Sequence, residues 1–155
     1  MGLTFEDSLI IASKYCVSRE RCEQDVIQYL NKKGLYDSDT IEKVVNNLRE
    51  EGFLDDFRYA KAFVHDKFLL NKWGRIKIKY ALKQKGIDET ITEKALLEEI
   101  NDAEYEQCLE TLIMKKKKNL KKGNPAVLKQ KIVNFAISKG YEFELVQKIV
   151  ESIVK

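Results

Sequence analysis

The sequence contains little proline, histidine and cysteine, and each shortage argues against a class of protein. Pro125 is the single proline in 155 residues, so helices run almost uninterrupted. The three cysteines, Cys16, Cys22 and Cys108, are odd in number and have no Cys-x-x-Cys spacing, which argues against a disulfide framework and a structural zinc site. We therefore expect reduced thiols, no metal and no cofactor.

Long apolar runs are also absent from the sequence. None approaches the length of a membrane span, and the first residues include the acids Glu6 and Asp7 where a signal peptide would carry bases. These absences predict a cytoplasmic protein without membrane contact.

The chain lacks the residue combinations on which catalysis usually depends. The single histidine, His65, has no nucleophile or carboxylate pattern around it, and no glycine-rich phosphate loop occurs. The pair Asp55-Asp56 is typical of a helix start, where acids complement the positive end of the helix dipole. The sequence therefore predicts a binding or regulatory protein rather than an enzyme.

One short pattern occurs three times, about fifty residues apart. In each copy a partly apolar stretch ends in Lys-Gly plus an apolar residue, with the glycines at Gly34, Gly86 and Gly140. A helix that ends in a left-handed turn favours glycine, which has no Cβ, and the preceding lysine complements the negative end of the helix dipole. The period indicates stacked helical modules.

Apolar residues at helical spacing divide each module into three helices, and no strand pattern of useful length occurs. The predicted fold is all-α, with three tandem three-helix repeats (1–53, 54–101 and 102–155) forming an elongated, curved helical array. Modules of this size bury small cores, so we expect them to stabilise one another. The predicted helix starts include Thr4, Ser18, Asp39, Thr90 and Asn124, the last followed by proline at the first helical position.

Charges are unevenly distributed, although 28 basic and 25 acidic residues give a net charge of only +3. No acid occurs between Lys72 and Lys85, or between Lys115 and Lys122, and compensating acids lie in residues 37–56 and 88–106. The sequence therefore predicts basic stripes that alternate with acidic ones.

The densest candidate binding site lies in the second repeat. Its first helix carries Arg58, Lys61 and His65 on one face, and its second carries Arg75, Lys79 and Lys83 on another, so the two basic faces could converge. The alternative is a solvated helix face, although solubility alone usually mixes both signs of charge. The candidate binding residues are Arg58, Lys61, Lys67, Lys72, Trp73, Arg75, Lys79 and Lys83.

Trp73 lies in the turn between these two helices, flanked by Lys72 and Gly74. An exposed tryptophan beside bases could stack on a nucleobase or anchor a protein partner, whereas a tryptophan that covers the core would be structural. Both interpretations stay open. The run from Lys115 to Lys122 is interpreted as a solvated helix extension with some attraction for polyanions.

Residues of the second repeat form a recognisable motif. It comprises Leu54-Asp55-Asp56, Tyr59-Ala60, Phe63-Val64, Lys67, Gly74, Ile78, Leu82 and Lys85-Gly86-Ile87. This motif resembles the signature of the RecX family of bacterial recombination regulators. The length and the three tandem repeats fit the same family, with the third repeat the loosest match.

The resemblance implies a non-enzymatic modulator of the RecA recombinase, acting in DNA repair, recombination and the SOS response. Family members bind the RecA nucleoprotein filament along its groove and suppress its growth, ATPase and strand exchange, and some also bind DNA. We therefore expect a monomer that binds the RecA filament, with single- or double-stranded DNA as a further candidate partner. The alternative is a helical repeat protein that binds nucleic acid without sequence specificity. The acidic patches favour a protein partner, because bare DNA would repel them.

Overall fold

The computed structural model describes residues 2–154, and these form nine α-helices and no strand, so the all-α prediction is confirmed. The helices are α1 (Phe5–Ser18), α2 (Glu23–Lys32), α3 (Ser38–Glu50), α4 (Asp56–Leu69), α5 (Arg75–Gln84), α6 (Glu89–Glu99), α7 (Asp102–Asn119), α8 (Pro125–Ser138) and α9 (Phe143–Ile153). Among the described residues, no helix combines the length and the apolarity that crossing a membrane requires.

The repeated glycines end α2, α5 and α8 as the sequence predicts. Gly34, Gly86 and Gly140 have φ values of 94°, 79° and 98°, in the left-handed region that a Cβ disfavours. The next residue in each copy donates its amide to the carbonyl five residues earlier and buries its side chain. These buried residues are Leu35, Ile87 and Tyr141.

Two predicted helix starts are confirmed. The Thr4 hydroxyl accepts a hydrogen bond from the Asp7 amide at 3.1 Å, and the Asn124 side chain accepts one from the Ala126 amide at 2.9 Å. Both residues thus cap amides that have no partner within the helix.

Three other predicted starts are wrong. Ser18 is the last residue of α1, and Cys22 precedes α2. Asp37 caps α3 in place of Asp39, and Asp88 caps α6 in place of Thr90. Asp37 and Asp88 each accept bonds from both the amide and the hydroxyl of a threonine two or three residues later, so an earlier aspartate outcompetes the predicted cap.

Close helix packing occurs within three groups, which we call the first unit (α1–α3), the second unit (α4–α6) and the third unit (α7–α9). The first unit has its own core, from Ala12 to Leu54. A single core runs through the second and third units and also takes in Cys22. The described residues therefore form three helical units around two cores. The repeat boundaries at 53/54 and 101/102 stay predictions.

The second and third units meet where two loops touch backbone to backbone. The Gly74 amide donates to the Lys139 carbonyl at 2.8 Å, and the Ile76 amide donates to the Gly140 carbonyl at 2.9 Å. A Cβ on Gly74 would lie 2.3 Å from the Gly140 oxygen, well inside van der Waals contact. Only a glycine at position 74 therefore permits this approach.

Two buried tyrosines hold the same joint. The Tyr105 hydroxyl accepts a hydrogen bond from the Arg75 amide at 2.9 Å and donates one to the Glu142 carboxylate. The Tyr141 hydroxyl donates to the Lys72 carbonyl at 3.0 Å. Burial raises the pKa of both tyrosines well above the ordinary value, with the Glu142 carboxylate adding to the effect at Tyr105 and Cys108 at Tyr141. Both hydroxyls therefore stay protonated and can donate.

We predict that Gly74→Ala destabilises the protein because its Cβ forces the two loops apart. Overpacking of this kind costs about 1–3 kcal/mol, and each kcal/mol lowers the melting temperature by about 2–4 °C in a chain of this size. Thermal unfolding followed by circular dichroism measures the loss. The matched control is Gly123→Ala, whose Cβ would meet no atom within 4 Å. Equal melting temperatures for the two variants would contradict the close contact.

Candidate functional site

The loop between α4 and α5 carries Trp73 half-buried against the core of the second and third units. The edge of its ring packs on Phe63, with 6.5 Å between the ring centroids. The ammonium groups of Lys67 and Lys77 lie 4.8 and 4.5 Å from the Trp73 centroid, within cation–π range. Trp73 thus partly covers the core and also holds two basic side chains at the surface.

Lys72 has an unusual backbone conformation in this loop. Its φ is 60°, which is uncommon for a residue with a Cβ, and the hydrogen bond from Tyr141 holds its carbonyl. Its side chain is exposed and forms no ion pair with the described residues. Lys67, Lys72, Trp73 and Lys77 together form what we call the loop cluster.

Two of the three predicted bases on α4 lie against acids of other elements. Arg58 forms a 2.5 Å ion pair with Glu20 of the first unit. Lys61 lies 3.8 Å from Glu98 of α6, and His65 Nδ1 lies 3.6 Å from Glu99 of the same helix. Arg58 and Lys61 therefore connect elements within the protein.

The predicted bases on α5 differ from one another. The Arg75 guanidinium bridges Asp102 at 2.5 Å and Glu142 at 3.1 Å, and it stacks 3.9 Å from the Tyr105 centroid. Lys79 pairs with Glu93 at 2.5 Å. Lys83 is exposed and has no ion pair among the described residues.

The structure thus brings Lys67 to the ring of Trp73, whereas Lys72 lines a groove with Glu104 and Gln107 of α7. Arg58, Lys61, Arg75 and Lys79 each face at least one carboxylate. The sequence reasoning missed Lys77, which lies four residues after Trp73 and inside the acid-free segment. Lys77 lies off the helical face that Arg75, Lys79 and Lys83 share, and the prediction rested on that face.

A cleft of about 430 Å³ borders the loop cluster where the first and second units meet. Lys67 lines it, as do Lys85 and its hydrogen-bond partner Asp25. Both signs of charge line the cleft, so it does not offer a uniformly basic pocket. The lining residues are Arg19, Glu20, Arg21, Asp25, Tyr59, Ala62, Phe63, Asp66, Lys67 and Lys85.

Asp25 and Lys85 form the most enclosed ion pair between these two units. The Lys85 ammonium donates to Asp25 at 3.0 Å, and the Cys22 amide donates to the same carboxylate at 3.2 Å. Burial raises the pKa of Asp25, but these hydrogen bonds outweigh burial and leave that pKa below its ordinary value. The hydrogen bond to Asp25 likewise raises the pKa of Lys85.

Together, the three helical units and the charged surfaces between them define an all-α helical-repeat protein that presents bases around one half-buried tryptophan. Its sequence matches the models of the RecX second three-helix domain over residues 55–96 and the RecX third three-helix domain over residues 102–150. The chain belongs to the RecX family.

Individual relatives support this assignment. The chain is 37% identical over 136 residues to Regulatory protein RecX of Clostridium botulinum (strain Eklund 17B / Type B), covering 86% of this chain and 62% of that protein. It is 32% identical over 147 residues to Regulatory protein RecX of Finegoldia magna, covering 94% of this chain and 71% of that protein. The chain thus spans about three fifths of the length of the C. botulinum relative.

A solved structure shares the fold. The crystal structure of RecX from Lactobacillus salivarius superimposes with a TM-score of 0.82 at 23% sequence identity, covering 96% of this chain and 95% of that one. At this level of identity the likeness concerns the fold alone.

We predict that Asp25→Asn lowers stability at neutral pH and that the difference from the parent disappears in acid. Because the folded pKa is depressed, the contribution of Asp25 is present above the unfolded value of about 3.9 and is lost as the pH falls through the lower folded value. Urea unfolding at a series of pH values measures it, with Glu50→Gln as the exposed control. A difference as large in acid as at neutral pH would contradict the ion pair.

We further predict that Arg75→Ala lowers the free energy of unfolding by about 1–3 kcal/mol, because it removes two charge-assisted hydrogen bonds to the third unit. Lys83→Ala on the same helix removes an exposed base without an ion pair and should change stability by less than about 0.5 kcal/mol. Urea unfolding of both variants tests the difference. Similar losses would show that Arg75 is only a surface base.

Proposed function

We propose that this protein binds the RecA nucleoprotein filament and inhibits its recombinase and ATPase activities, thereby modulating DNA repair and recombination. The observation that carries the proposal is membership of a family whose relatives are named Regulatory protein RecX. We further propose that it acts without catalysis, as a monomer in the cytoplasm.

Within the second unit, we propose that the exposed side of α5 and the adjoining loop cluster contact the filament. Ile76, Tyr80 and Lys83 lie at spacings of four and three residues, so they share one helical face. Ile76 is 52% exposed and Tyr80 is 65% exposed, although both are large and partly apolar. The loop cluster adds Lys67, Lys72 and Lys77, which have no ion pair among the described residues.

This combination favours a protein partner over bare nucleic acid. Tyrosine and aliphatic side chains contribute binding energy when a protein partner covers them, whereas phosphate contacts are made by polar and positively charged groups and gain nothing from an exposed isoleucine. A shallow groove of about 370 Å³ beside Tyr80 and Lys83, at the start of α6, gives such a partner a place to insert a side chain. Lys83, which lines the groove and has no ion pair among the described residues, would pair with an acid of the filament surface.

We predict that the purified protein lowers the DNA-dependent ATPase rate of RecA from the same organism. The double variant Ile76→Ala/Tyr80→Ala should weaken inhibition about tenfold or more, because losing two interface anchors costs at least about 1–2 kcal/mol. The variant should stay folded because both side chains are exposed.

The matched control is Val17→Ala/Leu97→Ala, which removes two exposed apolar side chains from other helices. It should inhibit as strongly as the parent. If the parent does not inhibit at a several-fold molar excess over RecA, the proposed function is wrong. If it inhibits and the α5 variant inhibits equally well, the function stands but the proposed surface is wrong.

A further inference from the structure

The third unit contains a long segment without acidic residues. From Thr111 to Tyr141 the sequence includes nine lysines and neither aspartate nor glutamate. Such a bias exceeds what solubility requires, because solvated surfaces usually mix both signs of charge. The run from Lys115 to Lys122, which sequence reasoning treats as a solvated extension, is one part of this segment.

Most of these lysines lie at one end of the third unit. Lys115 and Lys118 are in the last turns of α7, and Lys121 and Lys122 are in the loop that leads to α8. We call these four residues the tip lysines. All four are exposed, and none forms an ion pair or a side-chain hydrogen bond with the described residues.

The two lysines between the tip lysines on α7 have internal contacts. Lys117 donates to the Ile153 carbonyl at 3.0 Å, and Lys116 lies 4.9 Å from the Phe135 centroid. In the second unit, by comparison, Arg58, Lys61, Arg75 and Lys79 face carboxylates, although other bases of that unit have no ion pair among the described residues.

The adjacent backbone adds positive potential. Helix α8 has 14 residues, begins immediately after the loop, is capped by Asn124 and has no acid in its first turn. The positive end of its dipole therefore lies beside the tip lysines without a compensating carboxylate. An anion at this point would interact with the positive end of the α8 dipole and with the tip lysines.

The chemistry of the patch favours phosphodiester backbone over a lipid surface. Insertion into a membrane needs a continuous apolar face on the basic helix, but Leu109 and Ile113 of α7 are fully buried in the core. Met114 is the one large apolar residue of α7 that is exposed, and a single exposed side chain does not make such a face. The patch also has no exposed aromatic ring on which a base could stack. Compact ammonium groups on flexible stems suit repeated phosphates, which carry no sequence information.

We propose that the tip lysines form a nucleic-acid site that contacts the phosphate backbone without reading base sequence. This site is separate from the α5 surface and binds naked nucleic acid whether or not RecA is present. It would bind duplex and single strands alike, with the steeper salt dependence on duplex, because duplex has the higher charge density.

The test uses the whole chain with the four tip lysines changed to glutamine, and fluorescently labelled DNA of mixed sequence as the probe. Fluorescence anisotropy over a range of salt concentrations gives the affinity and its salt slope. On duplex the slope should become shallower by about 3–4, because each lost phosphate contact accounts for about 0.9. Affinity at low salt should fall about tenfold or more.

The matched control changes Lys14, Lys32, Lys33 and Lys43 of the first unit to glutamine, which alters the net charge equally. It should keep the parent affinity and slope within error. The proposal is overturned if the parent fails to bind duplex at low salt, if it binds anionic vesicles but not DNA, or if tip and control variants lose equal affinity.

The outcome is distinguishable from that of the RecA experiment. Ile76→Ala/Tyr80→Ala should bind naked duplex like the parent, whatever it does to RecA inhibition. Loss of duplex binding in that variant would place the DNA contact on α5 and overturn the assignment to the tip.

Discussion

The contact between Gly74 and Gly140 is the constraint on which the second and third units depend. Two loops approach so closely that a Cβ on Gly74 would overlap the Gly140 backbone, and two amides donate across the gap. Arg75 can then reach Asp102 and Glu142, and Tyr141 can hold the carbonyl of Lys72. The third unit thereby fixes the loop that carries Trp73, although Trp73 itself belongs to the second unit.

The joint between the first and second units has a different physical character. The first unit has a separate core, and its polar links to the second unit include the ion pairs Arg58–Glu20 and Lys85–Asp25. Both ion pairs leave part of their side chains exposed, and exposed ion pairs contribute little to stability and weaken with salt. Because Cys22 is the one buried residue of the first unit that joins the shared core, we expect relative movement to be easier here than at the glycine joint. The cleft beside the loop cluster lies at this weaker joint, so its shape depends on where the first unit sits.

Helix ends and helix starts that depend on a few neighbouring residues can be predicted from the sequence alone. Glycines with left-handed φ and the Asn124-Pro125 start belong to short segments, and the structure confirms them. The partners of Arg75 lie 27 and 67 residues away, so no helical-face analysis could tell that this base joins units. The prediction that Asp39 and Thr90 are helix caps is wrong, because in each case an aspartate two residues earlier accepts a hydrogen bond from a threonine in the first turn. Free bases can be told from paired ones only after the units are assembled.

Amide hydrogen exchange at Gly74 and Ile76 tests the central claim most directly. Both amides donate to carbonyls of the third unit, so their exchange reports whether the glycine joint is closed in solution. We predict protection of both amides as strong as that of Ile78 and Leu82, whose side chains are fully buried in the shared core. Exchange as fast as at the exposed loop residue Gly123 would contradict it and would mean that the second and third units are not held together at this point.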